Sequence, residues 1–222
     1  MLGVLTIEPR ETHDASIIWM HGLGATADDF VDMPRSIQRP ATRWVFPQAP
    51  HRKVTLNHGF RMPSWFDIRY LSGGEDSGDR ESRQETAESA ASIAELIEAE
   101  HDRGIPYERI VLIGFSQGGA LALYTGCRFP HRLAGIACLS GYLLFHETHI
   151  EDTHAANRST PLLIQHGSYD ETVPFMAGKR SAEFLEENGW PVDFDSYPMA
   201  HQVCMAETDR VGAFIAGLLD ES

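Results

Sequence analysis

The run Ile110-Val111-Leu112-Ile113-Gly114-Phe115-Ser116-Gln117-Gly118-Gly119 carries three signals in sequence. Ile110 to Ile113 read as a buried strand, Gly-x-Ser-x-Gly follows, and Ala120-Leu121-Ala122-Leu123 continues as a helix. Strand, tight turn and helix in that order make a nucleophile elbow out of an otherwise common five-residue pattern. Glycine is needed at 114 and 118 because a side chain at either would strike the neighbouring strand or helix. Ser116 itself must occupy a strained backbone region. Such a turn holds the Ser116 hydroxyl clear of the sheet, beside a helix N-terminus.

Outward from this run, strand-like and helix-like segments alternate, the pattern of a mostly parallel sheet with helices on both faces. Ser16–Met20 and Trp44–Phe46 read as strands, the second stopping at Pro47. Gln84–His101 reads as an amphipathic helix, with Ala90, Ile93, Ala94 and Ile97 on one stripe and Gly104 and Pro106 as stop signals. Leu133–Leu139, Pro161–Gln165 and Val192–Tyr197 read as further strands. Phe175–Asn188, closed by Gly189, reads as a helix, and Val211, Phe214, Ile215, Leu218 and Leu219 mark a last one. No internal repeat or low-complexity linker interrupts the pattern, so residues 1–222 are expected to form a single α/β domain. Two stretches fit poorly, 51–82 and the His- and Glu-rich 146–159; long excursions of this kind tend to line or cover sites.

Composition narrows the function. The chain of 222 residues has 18 Lys+Arg against 32 Asp+Glu, a net charge of −14. That disfavours nucleic acid and anionic lipid as main partners. No apolar run approaches the roughly 20 residues of a spanning helix, and the N-terminus lacks the basic flank of a signal peptide. Cys127, Cys138 and Cys204 form no C-x-x-C pair and read as free thiols in a reducing, cytoplasmic setting.

A serine hydroxyl needs a base to take its proton, and the base needs an acid to hold its tautomer. In folds built around such an elbow the order along the chain is Ser, acid, His. Of 11 histidines only His201 lies beyond residue 170, in the loop between the last strand and last helix. The acid belongs on a loop after an intervening strand, where His166-Gly167-Ser168-Tyr169-Asp170-Glu171-Thr172-Val173-Pro174 places Asp170, with Glu171 as the fallback. The intermediate's oxyanion needs two N–H donors. Gln117, following the nucleophile, supplies one. Leu23 in Met20-His21-Gly22-Leu23-Gly24, directly after an early strand, supplies the other; His21 is read as orienting that loop.

Together these residues resemble the phospholipase/carboxylesterase family that includes the acyl-protein thioesterases. The resemblance spans nearly the whole chain, adding Pro47-Gln48-Ala49-Pro50 and the least generic motif, Met62-Pro63-Ser64-Trp65-Phe66-Asp67. It implies an α/β-hydrolase fold without a large cap domain, a Ser116–Asp170–His201 triad, an oxyanion hole from Leu23 and Gln117, and neither metal nor organic cofactor. It also implies self-association through exposed apolar surface. Three positions depart from the family pattern. Ala200 stands where glycine usually precedes the histidine, Leu143-Leu144-Phe145 is bulkier than usual, and Asp79–Arg83 lacks a Gly-Ile; the last two bear on the acyl pocket.

Trp65, Leu71, Leu143 and Leu144 are expected to line the acyl groove, with Phe66 divided between groove and core. His146, His149 and His154, among Glu147, Glu151 and Asp152, have zinc-ligand types but match no standard ligand spacing, so a solvated loop is expected. The leading expectation is a carboxylesterase that cleaves small-molecule esters or thioesters through an acyl-enzyme. The first alternative is an acyl-protein thioesterase or lysophospholipase acting on long acyl chains of an acylated protein or lysophospholipid. The second, of another class, is a catalytically inactive binding module on the same fold.

Overall fold

The computed structural model describes residues 2–70 and 80–220. Strand β1 (Gly3–Ile7) is followed by β2 (Ala15–Met20), the short helix α1 (Met33–Ile37), β3 (Thr42–Gln48), β4 (His51–Val54) and β5 (Phe60–Pro63). Then come α2 (Arg83–Asp102), β6 (Ile110–Phe115), α3 (Gln117–Arg128), β7 (Gly135–Leu139), α4 (His146–Asp152), β8 (Leu162–Gly167), α5 (Phe175–Glu187), β9 (Val192–Tyr197) and α6 (Met205–Asp220).

Seven strands form one sheet in the order β1-β3-β2-β6-β7-β8-β9. Only the β1–β3 pair is antiparallel; β2–β3, β2–β6, β6–β7, β7–β8 and β8–β9 are parallel. Central parallel strands are covered on both faces, so they read as continuous apolar runs, as Ile110–Ile113 does. One face packs Ile93 and Ile97 of α2, Leu121 and Leu123 of α3, and Leu185 of α5 against Ile18, Leu112 and Ile164. The other packs Val211, Phe214 and Ile215 of α6 against Ile17, Val111 and Ala137. Among the described residues no helix is long and apolar enough to cross a membrane.

Two expectations are corrected, and one stretch without an expected structure is resolved. β3 runs through Pro47 to Gln48 instead of stopping before it. Its pairing with β2 ends at Val45, so no β2 acceptor waits for a Pro47 donor, and Pro47 pairs across to Val4 of the edge strand. The 51–63 stretch is a separate two-stranded hairpin, β4–β5. The 146–159 segment is not a solvated loop. It folds into α4 and a turn in which His149 and Asn157 are sealed from solvent. Asn157 accepts from the Leu133 N–H at 3.0 Å and donates to the Phe129 and His131 carbonyls at 2.7 and 2.9 Å. His149 packs on Trp190, and burial together with Arg128 and Arg158 pushes its pKa down to about 3. Those contacts come from segments far along the chain, so a local polar pattern does not reveal them.

Candidate active site

β6 ends at the elbow. Ser116 has φ 55° and ψ −118°, an unfavourable conformation for a residue with a Cβ, and its N–H donates to the Leu139 carbonyl of β7 at 2.7 Å. The two glycines are sterically obligatory. A Cβ on Gly114 would sit 2.2 Å from the Gly118 carbonyl, and one on Gly118 would sit 2.4 Å from the Met20 carbonyl oxygen. α3 therefore starts directly against the ends of β2 and β6.

β8 leads into the loop that carries Asp170, and β9 leads into the loop that carries His201. Backbone bonds stitch the two loops: Ser168 N–H to the Tyr197 carbonyl at 2.8 Å, and Tyr169 N–H to the Met199 carbonyl at 3.0 Å. Asp170 is buried. Its Oδ1 accepts from the Thr172 and Val173 N–H groups, each at 2.9 Å. Its Oδ2 lies 2.7 Å from His201 Nδ1, and His201 Nε2 lies 2.9 Å from Ser116 Oγ. Serine, imidazole and carboxylate, 85 and 31 residues apart along the chain, thus form one hydrogen-bonded line. Phe115 packs on the His201 ring with centroids 4.8 Å apart. Ala200, where glycine is usual, is not among the residues of positive φ, so alanine fits there unstrained.

The loop Met20–Gly24 approaches the elbow closely: a Cβ on Gly22 would lie 3.4 Å from the Ser116 Cβ. His21 is buried and orients this loop. Its Nδ1–H donates to the Gly22 carbonyl at 2.7 Å, and its Nε2 accepts from the Ala49 N–H at 3.1 Å. Burial lowers its pKa and keeps it neutral. Gly24, at φ 75°, donates to the Pro63 carbonyl at 2.8 Å. Gln117 is the first residue of α3, so its N–H has no helical acceptor. No described carbonyl outside the regular elements takes the Leu23 N–H.

An open cleft of about 330 Å³ lies over Ser116 and His201, walled by Leu23, Phe30, Met33, Phe115 and Val203. The expected groove residues fare unevenly. Trp65 is fully buried and lines no groove; its indole N–H donates to the His21 carbonyl at 2.8 Å, so its bulk supports the Gly22–Leu23 loop from beneath. Leu144 is core, 1% exposed, and Phe66 is core as well. Leu143 faces a different cavity. Leu71 lies outside the described residues. Among those residues no group of three or more His, Cys, Asp or Glu is placed to hold a metal ion.

The side-chain role of Gln117 and two further residues, His166 and Gly178, escaped the sequence reading. The Gln117 side chain accepts from the Trp65 N–H at 2.8 Å and donates to the Phe66 carbonyl at 2.6 Å, tying the tryptophan segment to the start of α3. His166 is buried under Asp170; its Nε2–H donates to the Val173 carbonyl at 2.9 Å, and burial lowers its pKa. Gly178 leaves room for it: a Cβ there would sit 2.2 Å from His166 Nδ1. The tryptophan motif and the His-Gly run were the only signals pointing toward them.

Against known proteins, the family model described as Phospholipase/Carboxylesterase matches residues 3–219. The chain belongs to the phospholipase/carboxylesterase family. It is 39% identical to acyl-protein thioesterase 1 of Gibberella zeae, over 96% of this chain and 94% of that one. It is 35% identical to a probable carboxylesterase of Oryza sativa subsp. japonica, over 93% of this chain and 78% of that one. Among solved structures it resembles Zea mays acyl-protein thioesterase 2 with a TM-score of 0.87 and 32% identity, covering 99% of this chain and 100% of that one. As a member of this family the protein is an ester hydrolase of α/β-hydrolase fold, with a mostly parallel central sheet and no large cap.

Proposed function

We propose that this hydrolase removes acyl groups from thioester- or ester-linked substrates, acylated protein above all, through a Ser116–His201–Asp170 triad. The observation that carries the reading is the continuous line from Asp170 Oδ2 to His201 Nδ1 at 2.7 Å and from His201 Nε2 to Ser116 Oγ at 2.9 Å. The names of the relatives at 34–39% identity favour a thioesterase acting on acylated protein over a general carboxylesterase. Free thiols at Cys127, Cys138 and Cys204 are in keeping with a cytoplasmic setting.

His201 takes the Ser116 proton as Oγ attacks the acyl carbonyl, and the developing oxyanion is held by the Leu23 and Gln117 N–H groups. The thiol or alcohol departs with the proton from His201. Water, deprotonated by the same imidazole, then releases the acid and regenerates the serine. Asp170, fixed by two backbone donors, holds His201 in the tautomer that presents a bare Nε2 to the hydroxyl. Each oxyanion donor contributes roughly a hundredfold to a thousandfold in turnover.

A fluorophosphonate probe tests the nucleophile. Wild type becomes labelled and Ser116→Ala does not; an unlabelled wild type would return the chain to the binding-module reading. A series of p-nitrophenyl esters alongside a palmitoylated peptide tests the substrate. Long-chain preference with peptide deacylation fits the proposal, while a peak at short chains without deacylation marks a general carboxylesterase.

A further inference from the structure

In the proposed triad, proton transfer fixes where the leaving group lies. Ser116 Oγ bonds to the acyl carbon, the bond from that carbon to sulfur or oxygen breaks, and the proton held by His201 Nε2 passes to the departing atom. The departing atom therefore faces His201 Nε2, which lies 2.9 Å from Ser116 Oγ. Whatever that atom carries runs past the imidazole onto the surface beside it.

That surface is one wall of the cleft over Ser116. Gln202 and Val203, the two residues after His201, line the cleft together with Phe115, which packs on the His201 ring. From Phe115 the apolar wall continues to Phe30, with ring centroids 6.0 Å apart, and to Met33 at the start of α1. The wall is anchored in the core. Phe30 stacks on Trp19 of β2 at 5.3 Å, and the Thr208 hydroxyl of α6 donates to Met33 Sδ at 4.0 Å. Met33, Phe115 and Val203 are half-buried, so apolar surface stays open to the cleft.

The charge there has one sign. Among the described residues the lining contains Asp29 and neither Lys nor Arg. Asp29 is exposed, and its Oδ1 accepts from the Thr26 N–H at 3.3 Å and the Thr26 hydroxyl at 2.8 Å. Its Oδ2 has no hydrogen-bond or ion-pair partner among the described residues. One oxygen thus fixes the carboxylate and the other is left for a ligand.

We infer that this cleft receives the leaving group and selects one that joins an apolar residue to a cation. The group it fits is the cysteine thiol of a peptide segment that places a large aliphatic side chain on Phe115, Phe30 and Met33 and a Lys or Arg at Asp29. The inference rests on the Ser116–His201–Asp170 reading and adds to it the chemistry of the group released. An acidic segment meets repulsion at Asp29, and a glycine leaves the apolar wall uncovered.

The test holds the acyl chain constant and varies the leaving group. The substrates are the octanoyl thioesters of acetyl-Cys-Leu-Lys-amide, acetyl-Cys-Gly-Lys-amide and acetyl-Cys-Leu-Glu-amide, with thiol release as the signal. The readout is kcat/KM, because it covers acylation, the half-reaction in which the leaving group is present. The Leu-Lys peptide should exceed the Gly-Lys peptide by about fivefold or more, as an apolar contact in an open pocket does. It should exceed the Leu-Glu peptide by about threefold or more, as an exposed charge pair does, and that ratio should shrink at about 1 M salt. Asp29→Asn keeps an acceptor for Thr26 and should bring the Lys-to-Glu ratio close to one, while Asp29→Lys should invert it. Met33→Ala should lower the Leu-to-Gly ratio. Each ratio is taken within one protein, so a loss of folded fraction cancels. Absence of either ratio in wild type, or ratios unmoved by the variants, would overturn the inference and leave the triad standing. Failure to cleave any of the peptides beside turnover of p-nitrophenyl octanoate does the same. No turnover of that ester and no fluorophosphonate labelling would overturn the triad reading and the inference with it.

Discussion

Asp170→Asn isolates the part of the proposed mechanism that depends on geometry. Oδ1 accepts two backbone N–H groups, from Thr172 and Val173 at 2.9 Å each. An asparagine must keep its carbonyl oxygen there, because an NH2 group cannot accept. Its NH2 therefore replaces Oδ2, 2.7 Å from His201 Nδ1. Two donors cannot face each other, so the imidazole switches tautomer, Nδ1 becomes the acceptor and Nε2 carries the hydrogen. A protonated Nε2 points at Ser116 Oγ and takes no proton from it. The wrong tautomer costs turnover about 10⁴-fold in triad enzymes, which is about 5.4 kcal/mol in the barrier. Folding should suffer less, since both backbone bonds survive and only one charge-assisted bond, worth about 1.5–3 kcal/mol, is exchanged. The assay is steady-state kcat on p-nitrophenyl butyrate, with a melting curve to confirm the fold. A folded variant that loses less than tenfold in kcat would refute the assignment of Asp170.

Leu23→Met should leave kcat within about twofold, because the donor assigned there is a backbone N–H and the side chain takes no part in the oxyanion contact; a hundredfold loss would remove Leu23 from the oxyanion hole. Gly178→Ala puts a Cβ 2.2 Å from His166 Nδ1, so overpacking of about 1–3 kcal/mol is expected. A lower melting temperature should come with reduced kcat, since His166 braces the Val173 carbonyl beside Asp170. Glu207, sealed in the first turn of α6, has its carboxyl pushed up to about 8 by burial, offset in part by the Cys204 N–H. The folded chain therefore holds a proton that the unfolded chain releases near pH 4.5, and stability falls as pH rises from there to about 8. Glu207→Gln should flatten that slope and melt higher than wild type at pH 8.5, and identical pH profiles for the two proteins would contradict it.

The central sheet and the meeting of Ser116, His201 and Asp170 in one hydrogen-bonded line were legible because their signals are local. Ile110–Ile113 is apolar enough to be a buried strand in any context, and a Gly-x-Ser-x-Gly turn leaves α3 a single direction in which to continue. The order Ser, acid, His then reduced the candidates for the base to His201. The edge strand β1, the continuation through Pro47, the buried side of α4 and the bracing role of His166 were not legible. Each depends on a neighbour distant in sequence: β1 on β3, His149 on Trp190, His166 on the absence of a side chain at Gly178.

Trp65 shows the division most clearly. The motif around it identified the family, yet its aromatic surface read as substrate groove, and the structure buries it beneath the His21 carbonyl as a support for the loop that faces Ser116. Sequence alone picked out Ser116, His201 and Asp170 as candidates for nucleophile, base and acid, because covalent neighbours set strand, turn and loop. Tertiary packing alone decided which apolar side chains wall the cleft over Ser116 and which are core. Burial depends on everything that closes over a residue, and a linear pattern of hydrophobicity reads the same for a groove wall as for a core.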